Sequence, residues 1–239
     1  EITSALDVTM TNNSISFGGY TPNITGIENL FGTNQGDVLR GDTNNNTLHG
    51  YSGNDLIFGT AGNNYLIGGS GDDILYTGSG VDKYDGGDIT ITTADGTTFY
   101  TGSSDSGSNT LSFYYINAAV DVDLGFVNND ATLNDGTIGR VKNDGYGNVE
   151  TYIRNINNLE GSLTYGDTLR GNSGNNIING YGGYDTIYGN AGENTLYGDT
   201  GNDIIYTADT KTGSERGDIA LGGEGSDKFY TSLNQAVVI

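Results

Sequence analysis

The chain of 239 residues holds 41 glycines, one histidine, one methionine and neither cysteine nor tryptophan, and its hydrophobic content of 34% is too low for a thick apolar core. Thirty acidic residues against nine basic ones give a formal net charge of −21, which argues against nucleic acid and anionic membrane as partners and sets self-repulsion against compaction. With no thiol and one imidazole, the metal chemistry left is that of hard oxygen ligands, which favours calcium or magnesium.

Residues 1–31 read as a β-rich leader that includes ALDVTM (5–10) and ITGIENLFG (24–32). A nine-residue phase then runs over 32–88, with Gly32, Gly41, Gly50, Gly59, Gly68 and Gly86 in first place. Sixth places are Asp37, Asn46, Asp55, Asn64, Asp73 and Asp82, and eighth places are Leu39, Leu48, Ile57, Leu66, Leu75 and Tyr84. Such a fixed period is the signature of a solenoid.

Residues 89–160 read as the leader and connector of a second unit. LSFYY (111–115) and VDVDL (120–124) alternate as short antiparallel strands do, whereas 88–108 and 125–150 read as loops or hairpin tips. The phase resumes over 161–239 with Asp167, Asn176, Asp185, Asn194 and Asp203 in sixth place and Leu169, Ile178, Ile187, Leu196 and Ile205 in eighth. TADTKT (207–212) reads as an insertion, after which Asp218 and Asp227 continue the series. Asp37, Asp55 and Asp73 each recur 130 residues later, so the arrays are copies, as are ALDVTM and AVDVDL (119–124). No apolar run reaches the roughly 20 residues of a membrane-spanning helix. The chain opens at Glu1 without a signal peptide and reads as a fragment of a longer protein.

Each nonapeptide divides into a six-residue turn such as GYSGND and a three-residue strand such as LIF, whose middle residue points inward. Two nonapeptides make one coil, with odd and even repeats on opposite edges. The apolar filling is thin, at about 25 cal/mol per Å² buried, against about 1–2 kcal/mol per residue of backbone ordering. Stacked turns bring sixth-place carboxylates together, where repulsion costs about 1–4 kcal/mol per pair. A divalent cation reverses that sign, and turn carbonyls complete an oxygen cage of about six to eight ligands.

GGSGDDILY (68–76), GYSGNDLIF (50–58), GDTGNDIIY (198–206) and GGEGSDKFY (222–230) follow the pattern GGxGxDxUx, and the chain resembles the RTX, or hemolysin-type calcium-binding repeat, proteins. The resemblance implies an all-β fold, a parallel β-roll in two arrays with β-rich leaders, holding several Ca2+ ions per array. The metal-ligating residues expected are Asp37, Asn46, Asp55, Asn64, Asp73, Asp82, Asp167, Asn176, Asp185, Asn194, Asp203, Asp218 and Asp227, with Gly53, Gly71, Gly183 and Gly201 supplying turn carbonyls. Asn brings an oxygen without charge, so the Asp edge is expected to bind calcium strongly and the Asn edge weakly. The family further implies a secreted or cell-surface protein exported unfolded by a type I secretion apparatus, as part of a toxin or adhesin.

No catalytic residue is expected. His49, in ninth place, is read as a solvent-facing bystander, and Asp121 and Asp123 as a solvent-facing pair on one strand face. Phe58 with Tyr76, and Tyr188 with Tyr206, should stack along one outer face, started by Arg40 and Arg170. That ladder either covers the thin core or forms a platform for an extracellular glycan. The latter would make the chain a carbohydrate-binding RTX module attached to a glycan-active enzyme such as an alginate epimerase, with the two arginines donating hydrogen bonds to an acidic sugar.

Overall fold

A computed structural model of the chain describes residues 4–11, 14–17, 26–87, 107–125, 139–145, 152–207 and 217–231. Among them there are strands and turns but no helix, and they form the parallel β-roll expected from the repeats. The chain divides into two compact units, one of residues 1–111 and 154–156 and the other of residues 112–153 and 157–239.

In the first unit, odd repeats supply the strands Val38–Arg40, Leu56–Phe58 and Ile74–Tyr76 of one sheet, and even repeats supply Thr47–Ser52, Tyr65–Ser70 and Lys83–Asp85 of the other. The register steps by one coil, placing Leu39 beside Ile57 and Ile57 beside Leu75, with Leu48 beside Leu66 and Leu66 beside Tyr84. These eighth-place residues are buried because strand geometry turns alternate side chains inward. Residues 107–111 add one more coil to the odd sheet. The N–H of Thr110 donates to the Asp73 carbonyl at 2.8 Å, as that of Ile74 does to Asp55 at 2.9 Å, and Leu111 is buried. LSFYY thus joins the roll as a repeat rather than forming the antiparallel strand read from its alternation. Gly107, Asn109 and Leu111 keep the fourth, sixth and eighth places.

The second unit repeats the plan. Thr168–Arg170, Thr186–Tyr188, Ile204–Thr207 and Lys228–Thr231 form one parallel ladder, and Asn158–Glu160, Ile177–Asn179, Thr195–Thr200 and Ile219–Glu224 the other. Leu169, Ile187 and Ile205 stack with Phe229, and Ile178 stacks with Leu196 and Ala220. Residues 208–212 of the expected insertion lie outside the described residues, as do 88–106, 126–138 and 146–150 of the expected loops.

Both leaders end their ladders in the same way. Asp7–Thr11 lies parallel to Val38–Arg40, with Val8 beside Leu39, and antiparallel to Ser14–Phe17. Asp121–Asp123 lies parallel to Thr168–Arg170, with Val122 beside Leu169, and antiparallel to Arg140–Asn143. A hairpin at this edge closes an otherwise open row of backbone groups, which is the task of a terminal cap in a repeat protein.

Candidate metal centre

The sixth-place side chains point into the turns, and those of Asp37, Asn46, Asp55, Asn64, Asp73, Asp82, Asp167, Asn176, Asp185, Asn194 and Asp203 are all buried. All but Asn46 and Asn176, whose Oδ1 takes the N–H of Asp42 and of Asn172 in the same turn, accept a backbone N–H from the coil or leader strand before them. Asp37 N–H donates to Asp55 Oδ1 at 2.6 Å and Asp55 N–H to Asp73 Oδ1 at 2.9 Å. Asn46 N–H donates to Asn64 Oδ1 at 2.9 Å and Asn64 N–H to Asp82 Oδ1 at 2.7 Å. The second unit shows the same steps from Asp167 to Asp185, from Asp185 to Asp203 and from Asn176 to Asn194. Across the insertion the step lengthens from 18 to 24 residues, yet Asp203 N–H still reaches Asp227 Oδ1 and Asn194 N–H still reaches Asp218 Oδ1. Asp and Asn serve this ladder equally, since both present a carbonyl-type oxygen.

Two features of the ladder escaped the sequence reading. Asn109 extends it from the next coil, accepting the Asp73 N–H at 3.0 Å although 36 residues of chain separate them. A second ladder runs through the fifth places, where Asn45, Asn54, Asn63, Asn175 and Asn202 accept N–H groups from the following coil. The signal for both was the nine-residue phase itself.

The second oxygen or nitrogen of each sixth-place side chain separates the turns into kinds. In the first turn of each array it is capped locally: Thr33 N–H and hydroxyl donate to the Asp37 carboxylate, and Ser162 N–H and hydroxyl to that of Asp167. The leaders finish those caps, with Leu6 N–H on Asp37 Oδ1 and Val120 N–H on Asp167 Oδ1. Asp82 is also bonded, taking the Tyr84 hydroxyl on Oδ2 at 3.0 Å. Asn64 Nδ2 donates to the carbonyls of Gly59, Ala61 and Gly62 at 3.1, 3.1 and 3.3 Å. By contrast, Oδ2 of Asp55, Asp185 and Asp203 is buried and accepts no hydrogen bond.

Those three oxygens fit a cation. A buried carboxylate oxygen without a donor costs several kcal/mol unless a charge or proton meets it. Burial pushes the carboxyl of Asp55 up to about 7 and that of Asp185 up to about 8; the backbone N–H groups of Asp37 and Asp167 oppose this, and neighbouring carboxylates, Asp37 for the first and Asp167 and Asp203 for the second, add to it. Asp203 is raised as well, mainly by burial. Glycine in first place makes the room: a Cβ on Gly50 would lie 2.0 Å from Asp55 Oδ2, and one on Gly180 2.3 Å from Asp185 Oδ2. Gly53, Gly71, Gly183 and Gly201 all have positive φ, and the contact of Gly62 with Asn64 places a fourth-place carbonyl beside the sixth-place side chain. Among the described residues no three histidine or carboxylate side chains converge on one point, so each turn offers one carboxylate and its backbone carbonyls, a set of oxygens suited to calcium.

Three other expectations change. His49 is fully buried rather than solvent-facing, because Tyr51 takes φ 78° and lays its ring on the imidazole at 4.5 Å while Phe31 meets it edge-on at 6.3 Å. Asp121 and Asp123 do share one strand face but are partly covered. Lys142 lies 3.8 and 3.6 Å from them, and Arg170 pairs with Asp121. Arg40 likewise pairs with Asp7, and both arginines lie over the first ring of their ladder, at 5.2 Å from Phe58 and 4.9 Å from Tyr188. The rings stack as expected, Phe58 on Tyr76 at 4.4 Å and Tyr188 on Tyr206 at 4.5 Å, with Tyr230 following at 5.0 Å.

A family model described as the RTX calcium-binding nonapeptide repeat (4 copies) matches residues 31–66, 58–88 and 164–196. A comparison with curated proteins returns no match.

Proposed function

We propose, from the premise that the chain is an RTX-repeat protein and a calcium-binding β-roll module, that it serves outside the cell as a calcium-triggered folding and structural module of a larger secreted protein, a toxin or adhesin, and carries no catalysis of its own. The observation that carries this reading is the buried, donorless Oδ2 of Asp55, Asp185 and Asp203 in a chain of net charge −21. Bound calcium supplies the positive charge those oxygens need. The chain's own part is to hold each carboxylate by its Oδ1 bond, to turn backbone carbonyls toward it and to exclude water.

Weak extracellular calcium modules bind at about 10⁻⁴–10⁻³ M, far above cytosolic levels of the free ion, so such a chain stays unfolded inside and folds outside by mass action. That behaviour suits passage through a type I secretion apparatus. The glycan-platform reading has less support. Ladder rings that stack on one another keep their faces from a sugar, and Arg40 and Arg170 are engaged with Asp7 and Asp121.

Far-UV circular dichroism of the whole chain against calcium, with magnesium and chelator as controls, tests the proposal. A coil-to-β transition driven by calcium in the millimolar range supports it. A chain already folded in chelator and unchanged by calcium overturns it.

A further inference from the structure

We propose that the chain sorts its turns into cation turns and amide turns: calcium is held where Asp55, Asp185 and Asp203 stand, whereas the turns of Asn64 and Asn194 are closed to it because the asparagine side chain's own N–H2 group stands in for the ion. The inference rests on the calcium reading above and goes beyond it, since a neutral oxygen ligand alone would make the Asn edge only weaker.

The argument starts from Asn64. Its Oδ1 is committed to the Asn46 N–H at 2.9 Å, which leaves Nδ2 facing the turn, where it donates to the carbonyl oxygens of Gly59, Ala61 and Gly62. Reversing the amide would set Nδ2 against an N–H and Oδ1 against three carbonyls, losing every bond. The orientation is therefore fixed by the ladder. Calcium takes oxygen ligands only, so an N–H2 group directed at these carbonyls both occupies their lone pairs and repels the ion. The same places around Asp55 belong to Gly50, Ser52 and Gly53, and there Oδ2 takes the place of Nδ2 and accepts no hydrogen bond. One turn carries its own donors; the other needs a charge from outside.

The second unit repeats the contrast. Asn194 Oδ1 accepts from Asn176, and its Nδ2 donates to the Ala191 carbonyl and to Asp218 Oδ1. Across the roll, Asp185 and Asp203 keep a buried Oδ2 that accepts no hydrogen bond. Asn46 and Asn176 belong to neither set, because Oδ1 of each takes the N–H of the second residue of its own turn, Asp42 and Asn172; Nδ2 of Asn46 meets no acceptor, and that of Asn176 donates to the Asn157 carbonyl at 2.6 Å and to Asn172 Oδ1 at 3.0 Å. The alternation of Asp and Asn along the repeats then becomes a means of limiting the number of ions that folding requires.

The test compares Asp55→Asn with Asp55→Ala in the whole chain, reading the calcium midpoint by circular dichroism and the calcium retained at saturation by equilibrium dialysis with elemental analysis. Asparagine should convert a cation turn into an amide turn: Asp55→Asn retains about one ion fewer than wild type and folds at the same or lower calcium, whereas Asp55→Ala needs several-fold more. Independently, Asn64→Ala should retain the wild-type number of ions. Asp55→Asn that needs as much added calcium as Asp55→Ala, or that fails to fold, overturns the inference, and so does loss of an ion from Asn64→Ala. A wild-type chain indifferent to calcium would instead defeat the calcium reading itself, so the two failures are distinguishable.

Discussion

Asp185 Oδ1 accepts the backbone N–H of Asp167 at 2.7 Å, while Asp185 Oδ2, buried in the same turn, accepts nothing. One side chain thus joins two coils through one oxygen and creates the demand for a cation with the other. Replacing Asp185 by Ala removes both at once. The orphaned Asp167 N–H should cost about 1–3 kcal/mol. In the calcium-loaded chain, amide hydrogen exchange at Asp167 should speed up in Asp185→Ala and hold its rate in Asp185→Asn, which keeps an acceptor. Equal exchange in both variants would show that the ladder bond contributes little.

The calcium-free chain should prefer acid. The folded carboxyls of Asp55 and Asp185 sit at about 7 and about 8, above the unfolded value of 3.8, so between those limits the folded state binds more protons than the unfolded one. Stability from these groups is therefore fully present below the unfolded value and is lost as pH rises through about 7 to 8. In chelator, β-structure should be greatest below about pH 4 and fall toward pH 8. Calcium competes with those protons, so its midpoint should drop over the same interval. Circular dichroism against pH, with and without the ion, measures both slopes, and a metal-free chain that gains structure with rising pH would contradict the assignment.

The repeat phase made much of this architecture legible. It placed Leu39, Ile57 and Leu75 inward and set odd and even repeats on separate sheets, because a strand's alternation follows directly from residue order. It could not say which way a turn side chain points. The spacing marked Asp55 as a metal ligand but did not show that its side chain is buried or that it accepts the backbone N–H of Asp37. Spacing reports position along the chain, whereas the split between locally capped turns and the rest depends on the second-place residue and its dihedral angles. Thr33 and Ser162 cap their carboxylates, but Tyr51, Tyr181 and Asp199 take positive φ and do not. Asn109 escaped notice for a different reason: 36 residues of chain, rather than 18, separate it from Asp73, and its repeat lacks first-place glycine.

The aromatic ladder should act on stability rather than on recognition. Tyr206 lies between Tyr188 at 4.5 Å and Tyr230 at 5.0 Å, so both ring faces are taken. Each such contact contributes about 0.5–1.5 kcal/mol beyond buried area. Tyr206→Ala should lower stability at fixed calcium by about 1–3 kcal/mol, read from the urea midpoint, and leave any affinity for alginate unchanged. A variant that keeps its stability but loses saturable polysaccharide binding would reverse that ranking.

His49 provides a covered reporter on the outer face of the even sheet. Its burial depends on Tyr51, whose φ of 78° is strained for a residue with a Cβ and natural for glycine. The strain is offset by the ring stacked on the imidazole and by the cover it supplies, so Tyr51→Gly should keep the turn while opening the face. Diethyl pyrocarbonate should modify His49 rapidly in chelator and slowly in the calcium-loaded wild type, with Tyr51→Gly regaining reactivity under calcium without losing its dichroism signal. If wild-type His49 reacted equally fast in both states, the imidazole would have to lie at the surface, and the folding back of Tyr51 over its neighbour would be wrong.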